Sequence, residues 1–211
     1  MISTRDLSGL PDIDTLLHQH QNLATLDAIL CPEWEFRYFT FDNNWDPGEK
    51  LGWMRNGEGD DWLALFNESG AILKGYAHDA PMADGAPWEG LFEDVPPAFE
   101  SFLKEPSFSI NKSTFCCWRL RDDDAWSRSQ IAFPSDPDPD GSGRMLYFLD
   151  GDPRTYKRWG DEYFGAPLDL GAVSSIYRRE PMSAALVRAL NPDAAFSDVR
   201  EAAVAIGYPV A

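Results

Sequence analysis

This sequence predicts an α+β fold, an antiparallel sheet built from two β-meanders and packed with helices. Short aromatic and apolar runs separated by Gly, Asn and Asp point to hairpin-connected strands, and helical periodicity governs the first 30 residues and those after Asp152. The composition is that of an ordinary folded chain: 44% hydrophobic, 25% charged, with a mean hydropathy of −0.38. A length of 211 residues admits one large domain or two small ones. One domain over 1–211 is the simpler expectation, with halves at 31–105 and 106–165 followed by C-terminal helices over 166–211.

The first element is a helix from Asp12 to Leu30, in which Ile13, Leu16, Leu17, Leu23, Leu26 and Leu30 recur at helical spacing. Pro11 and Asp12 open it and Pro32 closes it. His20 falls on the apolar stripe, as a packed residue, and His18 points away from it. Strands are expected at 36–42, 50–56, 61–67 and 71–77, where short connections force neighbours to pair. A Pro- and Gly-rich loop over 78–90 leads to a short helix near 97–104. Further strands are read at 114–120, 129–133 and 144–150, then helices at 155–164, 183–190 and 197–206, with a turn around 173–179. Both strand blocks run aromatic strand, acid-bearing turn with Trp, strand, Gly-x-Gly turn, strand. That order suggests a degenerate β-β-β-α duplication, although any two meanders share such turns.

Charge limits the function classes. The chain carries 35 acids against 18 bases, a net −17. Residues 1–105 hold 20 acids and 6 bases, and residues 106–211 hold 15 and 12. No basic stripe exists to neutralise phosphates, so neither nucleic acid nor an anionic membrane is an expected partner. The first residues hold no apolar run that would serve as a signal-peptide core, and a cytoplasmic location is expected. Cys31, Cys116 and Cys117 lack C-x-x-C spacing and read as reduced thiols, the last two packed on opposite faces of a strand.

Motifs of chemistry are sparse. Asp136, Asp138, Asp140 and Gly141 match the first half of a calcium loop, but the twelfth position is Tyr147 and prolines intervene, so an acidic hairpin loop without metal is expected. Asp122 to Asp124 and the pair Asp60 and Asp61 read as solvated turns. His78 and Asp79 follow a strand directly and are the residues an enzyme such as a metal-dependent hydrolase would use here; a plain loop histidine is the competing reading. There is no G-x-S-x-G, Walker A, H-E-x-x-H or dinucleotide fingerprint, and no cofactor is expected. Eight tryptophans are present, and Trp45, Trp62 and Trp88 stand in or beside acidic segments. An aromatic surface rimmed by carboxylates suits a basic protein partner, so Trp45, Asp60, Asp61, Trp62 and Trp88 are the candidate contact residues, against the alternative of buried anchors.

At VPPAFESFLKE (95–105), Val95-Pro96, Phe99, Phe102 and Leu103 resemble the Leu-Pro-x-x-Tyr-x-x-Phe-Leu helix start of the SMI1/KNR4 superfamily. The segment EPSFSINKS follows where that family commonly places Asn-Gly-Gly. Many bacterial members are immunity proteins that bind a toxin, so the resemblance implies a protein-binding role. The expectation is a non-enzymatic bacterial immunity or inhibitor-like protein with a basic partner. An enzyme using His78 and clustered aspartates, or a small-molecule module with an aromatic pocket, are the alternatives.

Overall fold

The computed structural model describes residues 2–211. Helix α1 (Ile13–Leu30) begins where the Asp12 carboxylate accepts the Thr15 N–H at 2.9 Å, the N-cap expected of an Asp before the first apolar residue. A single 3₁₀ turn (Trp34–Phe36) then leads into β1 (Phe39–Asp46), β2 (Glu49–Arg55), β3 (Asp61–Asn67) and β4 (Gly70–Tyr76). After a long loop come a short α2 (Glu100–Lys104) and β5 (Phe115–Leu120), then α3 (Ser142–Met145), α4 (Pro153–Tyr163), α5 (Leu170–Tyr177), α6 (Ala184–Leu190) and α7 (Phe196–Ile206). The five strands form one antiparallel sheet in the order β1-β2-β3-β4-β5, and the α+β expectation is borne out.

Register explains how each face is used. Leu51, Leu65, Ile72 and Trp118 stand opposite one another across β2 to β5, on the face covered by Leu91, Phe99, Phe102 and Phe108. One residue further along, Phe41, Gly52, Ala64, Leu73 and Cys117 form a row facing α1. The row is small at its centre because the His20 ring lies there, and a side chain on Gly52 would strike it. Cys116 and Cys117 are both buried, on opposite faces, as alternation requires. Each fully buried Leu or Phe of these layers stabilises the fold by roughly 2 kcal/mol relative to exposure.

The second half of α1 departs from a one-sided stripe, since every residue from Gln19 to Ile29 is buried. α1 packs between the sheet and helices α5, α6 and α7. Its polar residues therefore need internal partners. Gln21 donates to the Ile206 carbonyl at 2.9 Å and Asn22 to the Tyr177 carbonyl at 3.3 Å. Asp27 accepts the N–H groups of Tyr38 and Phe39, both at 2.8 Å, and the Tyr156 hydroxyl at 2.7 Å, joining helix, sheet and α4.

The second meander does not form, and with it the duplication fails. Of the block 114–150 only β5 joins the sheet. Residues 129–133 form no strand and bond elsewhere: the Ser129 hydroxyl accepts the Asp94 N–H, and the Gln130 N–H goes to the Asp94 carboxylate. The run 144–150 is helical, with Met145, Leu146, Phe148 and Leu149 buried and Arg144 and Asp150 exposed. That spacing belongs to a helix, and an apolar run this short satisfies either period until something fixes its start. Here the start is fixed by Gly141, at φ 74°, and by Asp138, whose carboxylate accepts the N–H groups of Gly143 and Arg144 at 2.9 and 3.1 Å.

Candidate functional site

The calcium-like loop directs its carboxylates at its own backbone. Asp138 caps α3, Asp136 accepts the Asp138 N–H at 2.9 Å, and buried Asp140 accepts the Ser142 N–H at 3.0 Å and the hydroxyls of Ser142 and Thr4. The three do not converge on a common point, and their bonds make the loop a structural joint between the N-terminus and α3.

Asp60 and Asp61, neighbours at the start of β3, diverge. Asp61 pairs with the buried Lys74 ammonium at 3.0 Å. Asp60 accepts the His78 N–H at 2.8 Å and lies 2.7 Å from its Nδ1. That bond raises the His78 pKa above the ordinary histidine value. Asp79 sits on the Arg144 guanidinium. Asp60, His78 and Asp79 each offer a ligand atom within 4.8 Å of the others, the arrangement a divalent cation would use. In the structure described, each of these groups already has a polar partner.

Trp62 was an expected surface anchor, and the structure overturns that. It is 1% exposed, edge-on to His20 at 4.8 Å between ring centroids and close to Phe39. Position within β3 decided this, because the residue faces α1. Trp88 is half-buried with its indole N–H on the Ala132 carbonyl at 3.0 Å, and Trp45 is half-buried over Phe108 at 5.5 Å.

The exposed aromatics lie elsewhere. Pro32 ends α1, and Arg37 donates to the Cys31 and Pro32 carbonyls at 2.9 and 3.1 Å, fastening the Trp34–Phe36 turn. Trp34 and Phe36 are thereby left outside the core, 60% and 65% exposed. The Arg55 guanidinium lies between the Trp34 and Trp53 rings, 5.5 and 5.0 Å from their centroids. Beneath them runs a cleft of about 360 Å³ lined by Trp34, Trp45, Leu51, Trp53 and Asp42. A second cleft of about 370 Å³ adjoins it, sharing Trp34, Thr40, Phe41 and Ala205 and reaching Asp198 and Glu201 on α7. The sequence carried one signal for this site, the Glu-Trp-Glu-Phe run just past a helix stop, but the same residues also read as the approach to a strand.

No family model, curated protein or solved structure matches the chain. Among the described residues no helix is long and apolar enough to cross a membrane.

Proposed function

We propose that this chain is a non-enzymatic protein-binding module, of the immunity or inhibitor kind, that holds a basic partner on the face formed by Trp34, Phe36 and the clefts beside them. The observation that carries this is the pair Trp34 and Phe36. Two large aromatics left mostly in water beside an aromatic cleft are the composition of a binding hot spot, since their desolvation on docking supplies affinity. The net charge of −17 supports a basic partner, because long-range attraction speeds the encounter. Trp45 stays in this reading as a cleft wall; Trp62 leaves it. The resemblance at 95–105 points the same way, and a toxin remains the partner class it suggests.

The test compares the protein with its Trp34→Ala/Phe36→Ala variant as bait in a lysate of the native host, at low and high salt. A basic protein retained by the former and lost by the latter is the expected result. Equal retention by both would remove this face from the function.

A second reading has one observation behind it, the approach of Asp60, His78 and Asp79 to within 4.8 Å. It makes the chain a metal-dependent hydrolase. Calorimetric titration with zinc, repeated on His78→Ala, tests it: heat of binding abolished by the substitution favours it, and no heat from either protein removes it.

A further inference from the structure

The two clefts flank a single strand, and that strand is an edge of the sheet. β1 pairs with β2 alone. In an antiparallel ladder, residues alternate between exchanging hydrogen bonds with the neighbouring strand and turning their backbone outward. The Tyr38 carbonyl accepts the Arg55 N–H at 2.9 Å, which sets the phase: Thr40 and Asp42 bond inward to Trp53 and Leu51, while Phe39 and Phe41 turn outward. The Phe39 N–H agrees with that phase, since it goes to Asp27 instead of β2. Both backbone groups of Phe41 therefore point away from β2, toward the cleft between the Trp34 turn and α7, while Phe39 is buried.

We propose that β1 is a docking edge, at which an extended Lys- or Arg-rich segment of a partner protein adds as a sixth strand and sends alternate side chains into the two clefts. This deepens the protein-binding reading above and rests on it. Strand addition takes affinity from main-chain hydrogen bonds and specificity from pockets on alternate faces, and the two clefts fall on the two sides of β1. The aromatic cleft suits an apolar residue or the stem of a long cation. The α7 cleft, with Asp198 and Glu201 both exposed, suits an ammonium or guanidinium.

Charge selects the occupant. Asp42, Asp198 and Glu201 line the clefts, and Glu33 and Glu35 flank Trp34. The neighbouring guanidinium groups are engaged, Arg37 by two carbonyls and Arg55 between two indoles. A second copy of this chain would bring its own −17 and the same acidic rim to the edge, and like charges repel it. A basic strand meets Asp42, Asp198 and Glu201 around the clefts, three carboxylates against the two guanidinium groups of Arg37 and Arg55.

The experiment uses the whole protein and a short synthetic peptide that alternates Lys with Val, beside two relatives: one with Glu in place of Lys, and one N-methylated on alternate residues. N-methylation keeps charge and side chains but removes the ladder donors. The expected result is binding of the Lys peptide with slowed hydrogen exchange at the Phe41 amide, no binding of the Glu peptide, and affinity about tenfold or more weaker for the N-methylated one, as loss of one or two such bonds implies. Ala205→Trp, which fills the wall common to both clefts, should weaken the Lys peptide while circular dichroism stays unchanged. No binding of the Lys peptide, equal binding after N-methylation, or an unaltered Phe41 amide would overturn the proposal. Those results leave the wider reading to its own test: a partner captured through Trp34 and Phe36 would still stand, docked in another way.

Discussion

Acidic residues do opposite work in two regions of this molecule. In the interior and in the 136–144 loop, Asp27, Asp138 and Asp140 each accept two or more hydrogen bonds from backbone or hydroxyl groups and hold separate segments together. Along the β1 edge, Asp42, Asp198 and Glu201 stand exposed around clefts with aromatic walls. The contrast teaches that a carboxylate's role follows from the donors around it. Where two or more donors converge on a carboxylate the acid is structural, and where at most one local donor reaches it, as the Asn44 N–H reaches Asp42 and the Ser197 hydroxyl reaches Asp198, its charge is available to a partner.

The largest effect should come from breaking the interior set. Asp27→Ala leaves two backbone N–H groups and the Tyr156 hydroxyl without an acceptor, and should cost about 3 to 5 kcal/mol in urea unfolding. Asp27→Asn keeps an acceptor of the same shape and isolates the charge. Burial raises the Asp27 pKa to about 7 despite the three bonds that favour its anion. The folded protein thus holds a proton that the unfolded chain releases near pH 4, so the Asp27 contribution is full below that pH and is lost as pH rises through about 7. Asp27→Asn should therefore gain on the wild type with rising pH across this window, by up to about 4 kcal/mol, measured as paired melting curves. Buried His20 acts in the opposite sense. Its pKa falls to about 4, so its contribution is present above pH 6.5 and lost as pH falls, and Asp27→Asn should expose that acid instability.

Asp140→Ala is the next step down. It removes the acceptor for Ser142 and Thr4, with an expected cost of about 2 kcal/mol in the same assay. A loss this size in the presence of chelator would show that the loop is held by its hydrogen bonds alone. The edge acids should behave otherwise. Asp198→Lys/Glu201→Lys should change stability by no more than about 0.5 kcal/mol, yet slow association with a basic partner, more so at low salt in stopped-flow measurements. A large stability loss there would erase the distinction between the two regions.

The smallest effect concerns Asp60, which sits between the two classes because it bonds an exposed histidine. Asp60→Asn should return the His78 titration midpoint toward the ordinary histidine range, seen by NMR of the imidazole protons, with little change in melting.

Much of the fold was legible because local pattern and tertiary demand agreed. The period of α1, its cap Asp12, and the turns of the first meander each satisfy a short-range need, and these elements appear within a few residues of their expected places. Residues 144–150 suit a strand or a helix because five of the seven are apolar, and the deciding bonds come from Asp138, six residues before Arg144. The site was less legible still. Trp62 and Trp34 both stand beside acids in the sequence, yet one fills the core and the other faces water.

By itself, the sequence determined the class of the fold, the strongly acidic surface, the buried strand of Cys116 and Cys117, and the positions of α1, α2, α4, α6 and α7; α5 had read only as a turn around 173–179. Those follow from periodicity, capping and net charge, which are properties of neighbours along the chain. Only the tertiary structure decided which aromatics are exposed, that β1 lies at an edge, and that α1 is enclosed between sheet and helices. Exposure is set by what packs over a residue, and here the covering elements come from segments far away in sequence: α7 lies along β1, and the 88–108 region covers the far face of the sheet. No local pattern encodes that meeting, because it depends on the register of five strands and the placement of α1 against them.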